Sequence, residues 1–233
     1  MIRGVIVDVD GTLVDTNWAH RDAWVTAFAR FDLHPSPAAV AANIGQGGDM
    51  LVPALMGAAV EASLGVLLRK AYIEDFLAIA GSQLFPFLPG AQDLLPALTA
   101  AGFHTALATS SKTEHLSAIL ANAGHDLRPL ANAVVTGSDV KASKPAPDLL
   151  LAAAQRLGLE PRECVMIGDT PYDVLAANAA GMPTIAVLTG GFSEERLRQA
   201  GARMILDNVS ALANDPRGVM AQVVPALNQN TKA

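Results

Sequence analysis

Two aspartates stand two positions apart near the beginning of the chain, directly after an apolar run at residues 2–7. In an extended segment the side chains alternate between two faces, so Asp8 and Asp10 project to the same side of the strand. Two carboxylates this close repel each other unless a cation or a shared proton lies between them. The pair therefore predicts a site for a positively charged partner at the end of the first strand.

Polar side chains follow three further apolar runs in the same way. Thr109, Ser110 and Ser111 come after the second run, where hydroxyls and amides suit anionic oxygens near the start of a helix. Lys144 follows the third run, and Asp169 and Asp173 follow the fourth. Because ligands gather at the carboxyl ends of the strands in an open parallel sheet, we expect these groups to meet at one edge.

This combination of carboxylates, hydroxyls and one lysine suits a divalent metal ion together with a phosphoryl group. Carboxylate oxygens without a histidine or cysteine companion favour Mg²⁺ over zinc. An aspartate can also accept a phosphoryl group covalently as an aspartyl-phosphate. The residues therefore predict magnesium as the cofactor and phosphoryl transfer as the chemistry.

The elements that position these residues alternate between short apolar runs and helical stretches, a pattern typical of an α/β fold with a parallel sheet and crossover helices. The runs that predict strands lie at 2–7, 105–108, 133–135, 164–167, 184–188 and 204–206. The stretches that predict helices between them include 90–101, 113–123, 146–157 and 171–180. Several of these helices are followed by a glycine, as helix ends commonly are.

A different pattern occupies residues 16–84, where apolar residues recur at helical spacing and no run predicts a strand. Helices are expected at 18–31, 50–56 and 64–79, and the prolines and glycine of residues 85–90 suit a linker back to the sheet. We therefore predict an α/β core domain at 1–15 and 85–233 and an inserted α-helical cap domain at 16–84. The alternative is that these helices pack on the face of the sheet.

Composition excludes several classes of function. The chain has 233 residues, of which 51% are hydrophobic and 16% charged, so its apolar surface is sufficient to offset the entropy of folding. A net charge of −6 with no basic run argues against nucleic acid as a partner. The N-terminal apolar stretch is short and interrupted by aspartates, so we expect no membrane association and a cytoplasmic location. Cys164 is expected to be a buried small hydrophobe.

At this point the sequence resembles the haloacid dehalogenase superfamily, in the phosphatase and phosphomutase branch that carries a helical cap after the first strand. The similarity covers nearly the whole chain and implies a Rossmann-like parallel sheet and phosphomonoester hydrolase activity. The matching motifs, in the family's order, are Asp8-Val9-Asp10-Gly11-Thr12, then Thr109, then Lys144 with Pro145, and then Gly168-Asp169 with Asp173.

The resemblance implies roles for the four aspartates. Asp8 would be the nucleophile and a magnesium ligand. Asp10 would be the general acid and base, with its main-chain carbonyl also on the metal. Asp169 would complete the set of protein ligands of the metal, and Asp173 would support these ligands without binding the metal itself. Taken singly, Asp10 before a glycine also fits ordinary turn chemistry, and Asp173 fits a residue that complements a helix dipole.

The resemblance also implies that Thr109 and the amide of Ser110 hold phosphoryl oxygens, while Lys144 neutralises charge on the phosphoryl group and the nucleophile. Taken singly, Thr109 or Ser110 suits a helix N-cap, and Lys144 suits a solvated loop lysine. The joint occurrence of all the motifs favours catalysis over these separate explanations.

Two features of the sequence exclude neighbouring reactions of the family. The true dehalogenases lack the second aspartate, which is present here as Asp10. A phosphonate-cleaving relative would carry a Schiff-base lysine early in the cap, and the first lysine of this chain is Lys70. Hydrolysis and mutase chemistry remain, and a non-catalytic metabolite-binding module is disfavoured because no catalytic residue is missing.

The cap residues bear on the choice between the two reactions. A mutase must bind a second phosphate in its cap, and the loop around Gln46 is glycine-rich and carries no cation. This favours a phosphatase for a small phosphorylated metabolite, similar to phosphoglycolate phosphatases. A β-phosphoglucomutase-like mutase is the alternative, because Arg69 and Lys70 would supply the missing charge.

Substrate specificity is expected from Gln46, which would lie in a closing loop, and from residues just after the first motif. His20 is the main candidate there, because some sugar-phosphate mutases of the family carry a histidine at that point. Asn17 and Trp18 are further candidates. The protein is expected to be a monomer or a weak homodimer.

Overall fold

A computed structural model describes residues 1–223 and contains one six-stranded sheet in which every strand pair is parallel. The strands are β1 Gly4–Val7, β2 His104–Thr109, β3 Ala133–Thr136, β4 Cys164–Gly168, β5 Thr184–Val187 and β6 Met204–Leu206. Each of the six apolar runs overlaps one of these strands, so the prediction of a parallel α/β sheet is confirmed.

The spatial order of the strands is β3-β2-β1-β4-β5-β6, which puts β1 in the middle. Val7, the last residue of β1, pairs with Leu107 on one side and with Ile167 on the other. The chain order reverses at β1, and in open α/β sheets this switch point is where ligands bind. The register therefore brings the segments that follow β1, β2 and β4 together at one edge.

Eleven α-helices lie in the described part of the chain. Between β1 and β2 they are α1 Asn17–Ala29, α2 Pro37–Ala41, α3 Gly48–Met56, α4 Ala58–Ala80 and α5 Ala91–Ala100. The others are α6 Thr113–Asn122, α7 Asp148–Leu157, α8 Pro171–Ala180, α9 Glu194–Ala200, α10 Ser210–Asn214 and α11 Pro216–Val223. Helix α4 begins six residues before the predicted position because it is apolar on nearly every face, which blurs the helical period.

Four helices, α2 and α9 to α11, were missed in the sequence. All four have five to eight residues, so each offers only one or two turns of periodic signal. The predicted helix at 146–157 begins later than expected, at Asp148, because Pro147 precedes it as the N-cap residue. The helical content near the C-terminus is therefore higher than the pattern indicated.

Helices cover both faces of the sheet. Val5 and Val7 of β1 face one apolar cluster, which includes Leu94 of α5, whereas Ile6 between them faces a second cluster with Leu150 of α7. This alternation is the two-residue period of a strand that is buried on both sides. Cys164 is buried in the second cluster as predicted, and burial raises the pKa of its thiol to about 11.

Helices α1 to α4 form an insert with an apolar cluster of their own, built around Trp24, Phe28, Leu51 and Leu68. The two chain segments that connect the insert to the sheet run side by side, and the amide of Leu88 donates to the carbonyl of Leu13. Among the helices of residues 1–223, none combines the length and the apolar composition that a bilayer crossing requires.

Candidate active site at the carboxyl edge of the sheet

A buried lysine joins two of the motif aspartates. The Nζ atom of Lys144 donates to Oδ1 of Asp8 and to Oδ1 of Asp173, each at 2.7 Å, and only 1% of the lysine is exposed. Burial opposes the charge of Lys144, but Asp173 and Asp8 together hold its pKa above the ordinary value. Lys144 is therefore a charged group inside the site and not a solvated loop lysine.

Asp173 has two functions that the sequence presented as alternatives. It lies in the first turn of α8, where its Oδ2 accepts hydrogen bonds from the amide and the hydroxyl of Thr170 at 3.0 and 2.7 Å. Thr170 is the N-cap of that helix, so the two residues form a capping box. The other oxygen of Asp173 faces Lys144. The same carboxylate thus helps to cap the N-terminus of α8 and also contacts Lys144.

Three buried carboxylates meet beside Lys144. One oxygen from each of Asp8, Asp169 and Asp173 lies within 4.8 Å of the others. Burial raises the pKa of Asp8 well above its ordinary value despite Lys144. Burial and the charge of Asp173 raise the pKa of Asp169 to about 7. Fully ionised, the three carboxylates would carry more negative charge than one lysine neutralises, so a bound cation would favour their charged forms.

The surroundings of Asp169 also fit a metal ion. Thr12 donates to its Oδ1 and Asn17 to its Oδ2, both at 2.8 Å, and these contacts fix the orientation of the carboxylate. A Cβ atom at Gly190 would lie 2.1 Å from Oδ2 of Asp169, so only glycine fits there. The buried Oδ1 of Asn17 has no hydrogen-bond partner within residues 1–223. An all-oxygen set with an unpaired acceptor suits a hard divalent cation.

Asp10 lies in a different environment from Asp8. Its Oδ1 accepts from Thr16 at 2.7 Å and from His20 at 2.8 Å, and its Oδ2 accepts from Thr109 and Ser111, each at 2.9 Å. Burial by itself would raise the pKa of Asp10, but His20 and the hydroxyls outweigh it and lower the pKa well below the ordinary value. The Asp10 side chain is therefore an ionised carboxylate with four donors.

His20 connects the insert to this carboxylate. Because an ionised carboxylate only accepts hydrogen bonds, Nε2 of His20 is the donor to Asp10. Nδ1 of His20 lies 2.7 Å from the hydroxyl of Tyr72 on α4, and the imidazole stacks on Phe76 at 4.4 Å between ring centres. Tyr72 was not singled out in the sequence, because nothing in the local pattern distinguishes it from other polar residues on a helix.

A cavity of about 230 Å³ lies between the sheet edge and the insert. The motif residues in its wall are Asp8, Asp10, Thr109, Ser110 and Lys144, and the insert adds His20 and Gln46. Asn17 and Trp18 are not part of this wall. Asn17 faces Asp169, and Trp18 packs against Phe85 at 6.0 Å between ring centres. Neither residue therefore faces the cavity, and the expectation that they contribute to specificity stays a prediction.

The cations of the cavity wall are distributed differently from the prediction. Arg69 lines the cavity, but its guanidinium binds Glu61 at 2.8 Å and 2.9 Å. Lys70 is exposed and lies outside the wall. Lys112 and Lys141 line the cavity from the side of the sheet. The sequence suggested Arg69 and Lys70 of the insert as the source of positive charge for a second phosphate. In the structure the lysines of the cavity wall that could supply this charge lie instead in the loops after β2 and β3.

The loop around Gln46 lies against the sheet edge. Gly45 has a φ of +103°, and its carbonyl accepts from the Ser110 hydroxyl at 3.3 Å. The carbonyl of Ala42 accepts from the Tyr172 hydroxyl at 2.7 Å. The side-chain amide of Gln46 donates to Oδ1 of Asn43 at 2.8 Å within the loop itself. The loop is thus closed over the cavity, with Gln46 in the wall.

Known proteins resemble this chain in sequence and in fold. A model of the haloacid dehalogenase-like hydrolases matches residues 2–181. The phosphoglycolate phosphatase of Rhodospirillum rubrum is 33% identical, over 99% of each chain. The crystal structure of a hydrolase from Pseudomonas syringae has a TM-score of 0.85 at 27% identity and covers 93% of this chain and 99% of its own. CbbY of Rhodobacter sphaeroides, solved with xylulose-1,5-bisphosphate, has a TM-score of 0.73 at 26% identity, over 91% of this chain and 96% of its own.

The chain therefore belongs to the haloacid dehalogenase-like hydrolases. Within that family it is an enzyme of the phosphatase branch, a phosphomonoester hydrolase. The predicted family, fold class and enzyme class are confirmed.

Proposed function

We propose that the protein is a magnesium-dependent phosphatase that hydrolyses a small phosphorylated metabolite through an aspartyl-phosphate on Asp8. The observation that carries this proposal is the position of Asp8 in the wall of the closed cavity, with Lys144 at 2.7 Å on one side and two further carboxylates beside it. A nucleophile, a cation and a metal-binding cluster there are the groups that phosphoryl transfer requires.

Asp8 and Asp169 would hold the magnesium ion, together with the main-chain carbonyl of Asp10. Asp173 would not bind the ion directly and would keep its hydrogen bond with Lys144. When bound, the ion would hold the phosphoryl group beside Asp8 and offset part of its charge. The raised pKa values of Asp8 and Asp169 support this assignment, because burial and the neighbouring carboxylates disfavour the charged forms and a bound cation would favour them.

In the first step a carboxylate oxygen of Asp8 would form a bond to phosphorus while the bond to the leaving oxygen breaks. Asp10 would donate a proton to that oxygen. Thr109 and Ser111 now donate to Asp10, and a phosphoryl group would compete for these hydroxyls. Asp10 would then lose two hydrogen-bond donors and lie beside the negatively charged phosphoryl group. Both changes would raise the pKa of Asp10 and allow it to carry the proton.

In the second step Asp10, again a carboxylate, would take a proton from a water molecule as the water oxygen attacks phosphorus. The bond between phosphorus and Asp8 breaks and frees both inorganic phosphate and the Asp8 carboxylate. Lys144 would stabilise the negative charge on Asp8 and on the phosphoryl oxygens in both steps. Residues 16–84 would serve as the cap domain over a core of residues 1–15 and 85–233 and would exclude bulk water from the first step.

One observation favours the second candidate, a β-phosphoglucomutase-like mutase. Lys112 and Lys141 in the cavity wall offer positive charge to a second phosphate. A panel of phosphorylated metabolites with Mg²⁺, including 2-phosphoglycolate, a pentulose bisphosphate and β-glucose 1-phosphate, separates the two reactions. Release of inorganic phosphate supports the phosphatase, whereas isomerisation of the sugar phosphate without phosphate release overturns it in favour of the mutase.

A further inference from the structure

A carboxylate of the insert binds the loop that carries Lys144. Asp49 lies in the first turn of α3, and its two oxygens accept from the amide of Ser143 at 3.1 Å and from the hydroxyl of Ser143 at 2.5 Å. Ser143 is 5% exposed and directly precedes Lys144. The contact joins residues 94 positions apart in the chain.

Gly47 completes this contact. Its amide donates to the Ser143 hydroxyl oxygen at 3.0 Å. The φ of Gly47 is −74°, which any residue adopts, so glycine is not required for the backbone conformation. A Cβ atom there would lie 2.3 Å from the hydroxyl oxygen of Ser143 and 2.6 Å from Oδ1 of Asp49. Glycine at this position therefore allows the close approach of the two segments.

Ser143 thus makes three hydrogen bonds to the insert, and its carbonyl also accepts from the amide of Ala146 at 3.0 Å within its own loop, while the next residue reaches the catalytic centre. The Nζ atom of Lys144 bonds both Asp8 and Asp173. Moving the insert away from the sheet breaks the three contacts of Ser143 to the insert and removes the restraint on the amide and the hydroxyl of the residue before Lys144. We propose that Asp49 is a positioning residue that holds the Lys144 loop in its active arrangement only when the insert is closed.

This inference rests on the proposed role of Lys144 and deepens it. Closure of the insert would exclude water and position Lys144 at the same time. The cavity therefore has all of its catalytic groups in place only after water is excluded. A group that acts in this way changes turnover for every substrate by the same factor, because it does not touch the leaving group. A substrate-binding carboxylate would instead affect substrates unequally.

The activity test uses Asp49→Ala, Ser143→Ala and the double variant. Asp93→Ala is the matched control, because Asp93 also lies in the first turn of a helix but is exposed on the outer surface. We expect each single variant to lower kcat about tenfold with little change in KM, on an aryl phosphate and on the natural substrate alike. The double variant should be no slower than either single one, because both remove the same contact. Asp49→Asn, which keeps an acceptor for the Ser143 amide, should recover part of the loss.

Hydrogen–deuterium exchange provides a readout that does not depend on activity. Exchange at residues 42–49 and at 137–144 should increase together in Asp49→Ala and in Ser143→Ala, and in neither segment of the control. The inference is overturned if kcat of Asp49→Ala equals that of the control, if the two losses multiply in the double variant, or if the effect differs between substrates. Coupled exchange with no phosphate release from the wild-type protein would contradict the proposed function while supporting the contact.

Discussion

Nε2 of His20 lies 2.8 Å from Oδ1 of Asp10, and this hydrogen bond joins the first helix of the insert to the second aspartate of the first motif. The Tyr72 hydroxyl lies 2.7 Å from the other ring nitrogen, so two helices of the insert contribute to the arrangement. The donors from the insert help to keep Asp10 ionised. The insert therefore controls the protonation of a residue that belongs to the sheet edge.

Replacing His20 by asparagine should lower kcat about tenfold, because Asp10 loses the buried imidazole donor at Oδ1 and its orientation relaxes. Steady-state kinetics on an aryl phosphate measure the change. His34→Asn is the matched control, since His34 also contacts an aspartate, Asp32, but at an exposed position. Unchanged kcat in His20→Asn would remove His20 from the catalytic arrangement.

Asp8→Asn should abolish turnover and leave the fold intact, because the amide is nearly isosteric but a far poorer nucleophile. Asp10→Asn should slow the reaction and accumulate phosphoenzyme, because attack by Asp8 survives better than activation of water. Circular dichroism checks the fold, and mass spectrometry of the intact protein detects the phosphoenzyme. Near-normal turnover in Asp8→Asn would refute the covalent mechanism.

Magnesium should be required for turnover and calcium should inhibit it. Asp8 must bind the metal through one oxygen and keep the other free for attack, whereas the looser coordination of Ca²⁺ favours bidentate carboxylates. Phosphate release with chelator, with Mg²⁺ and with Mg²⁺ plus Ca²⁺ tests this expectation. Full activity in chelator would exclude the carboxylate cluster as an essential metal site.

The effect of Mg²⁺ on stability should depend on pH. The pKa of Asp169 is about 7 in the metal-free protein, compared with an ordinary value of 3.8, because burial and Asp173 disfavour its charge. The folded state therefore binds an extra proton between these values, and metal-free stability falls as the pH rises through this window. Mg²⁺ must displace that proton, so its stabilisation should be small near about pH 5.5 and larger near about pH 8.

Thermal melting with and without Mg²⁺ at several pH values tests this dependence. Groups that do not touch the metal contribute equally to both melting temperatures, so their contribution cancels in the difference. His115, whose pKa burial lowers to about 4, is such a group. Asp169→Asn should remove most of the Mg²⁺ effect at every pH. An equal stabilisation at both ends of the range would contradict the titration of the cluster.

Gln46→Ala should change kcat/KM unequally across phosphorylated substrates, because Gln46 lies in the wall of the cavity and its amide can contact a hydroxyl or carboxylate of the leaving group. An aryl phosphate without such a group should be affected little. Gln83→Ala provides a glutamine control at an exposed position. Equal effects of Gln46→Ala on all substrates would assign the loop a purely structural function.

The local sequence was sufficient to predict the sheet and the motif residues at its edge. Each strand is a short apolar run, and the register of β1 with β2 and β4 brings the segments after Val7, Leu107 and Ile167 together. These predictions succeed because alternation, helix caps and turn residues act over a few positions of the chain. The carboxylates, Lys144 and Thr109 could therefore be assigned to one site before the fold was known.

Only the tertiary structure decided which donors surround each carboxylate. The contact of Asp49 with Ser143 joins residues 94 positions apart in the chain, and that of Tyr72 with His20 joins residues 52 positions apart. Asn17 and Asp169 are in contact although 152 positions separate them. Such pairs depend on how the insert lies over the sheet and on which way α1 turns its side chains, and no periodic pattern in the sequence encodes either. Burial then sets the pKa values, because desolvation depends on every neighbour in space and not on neighbours in the chain.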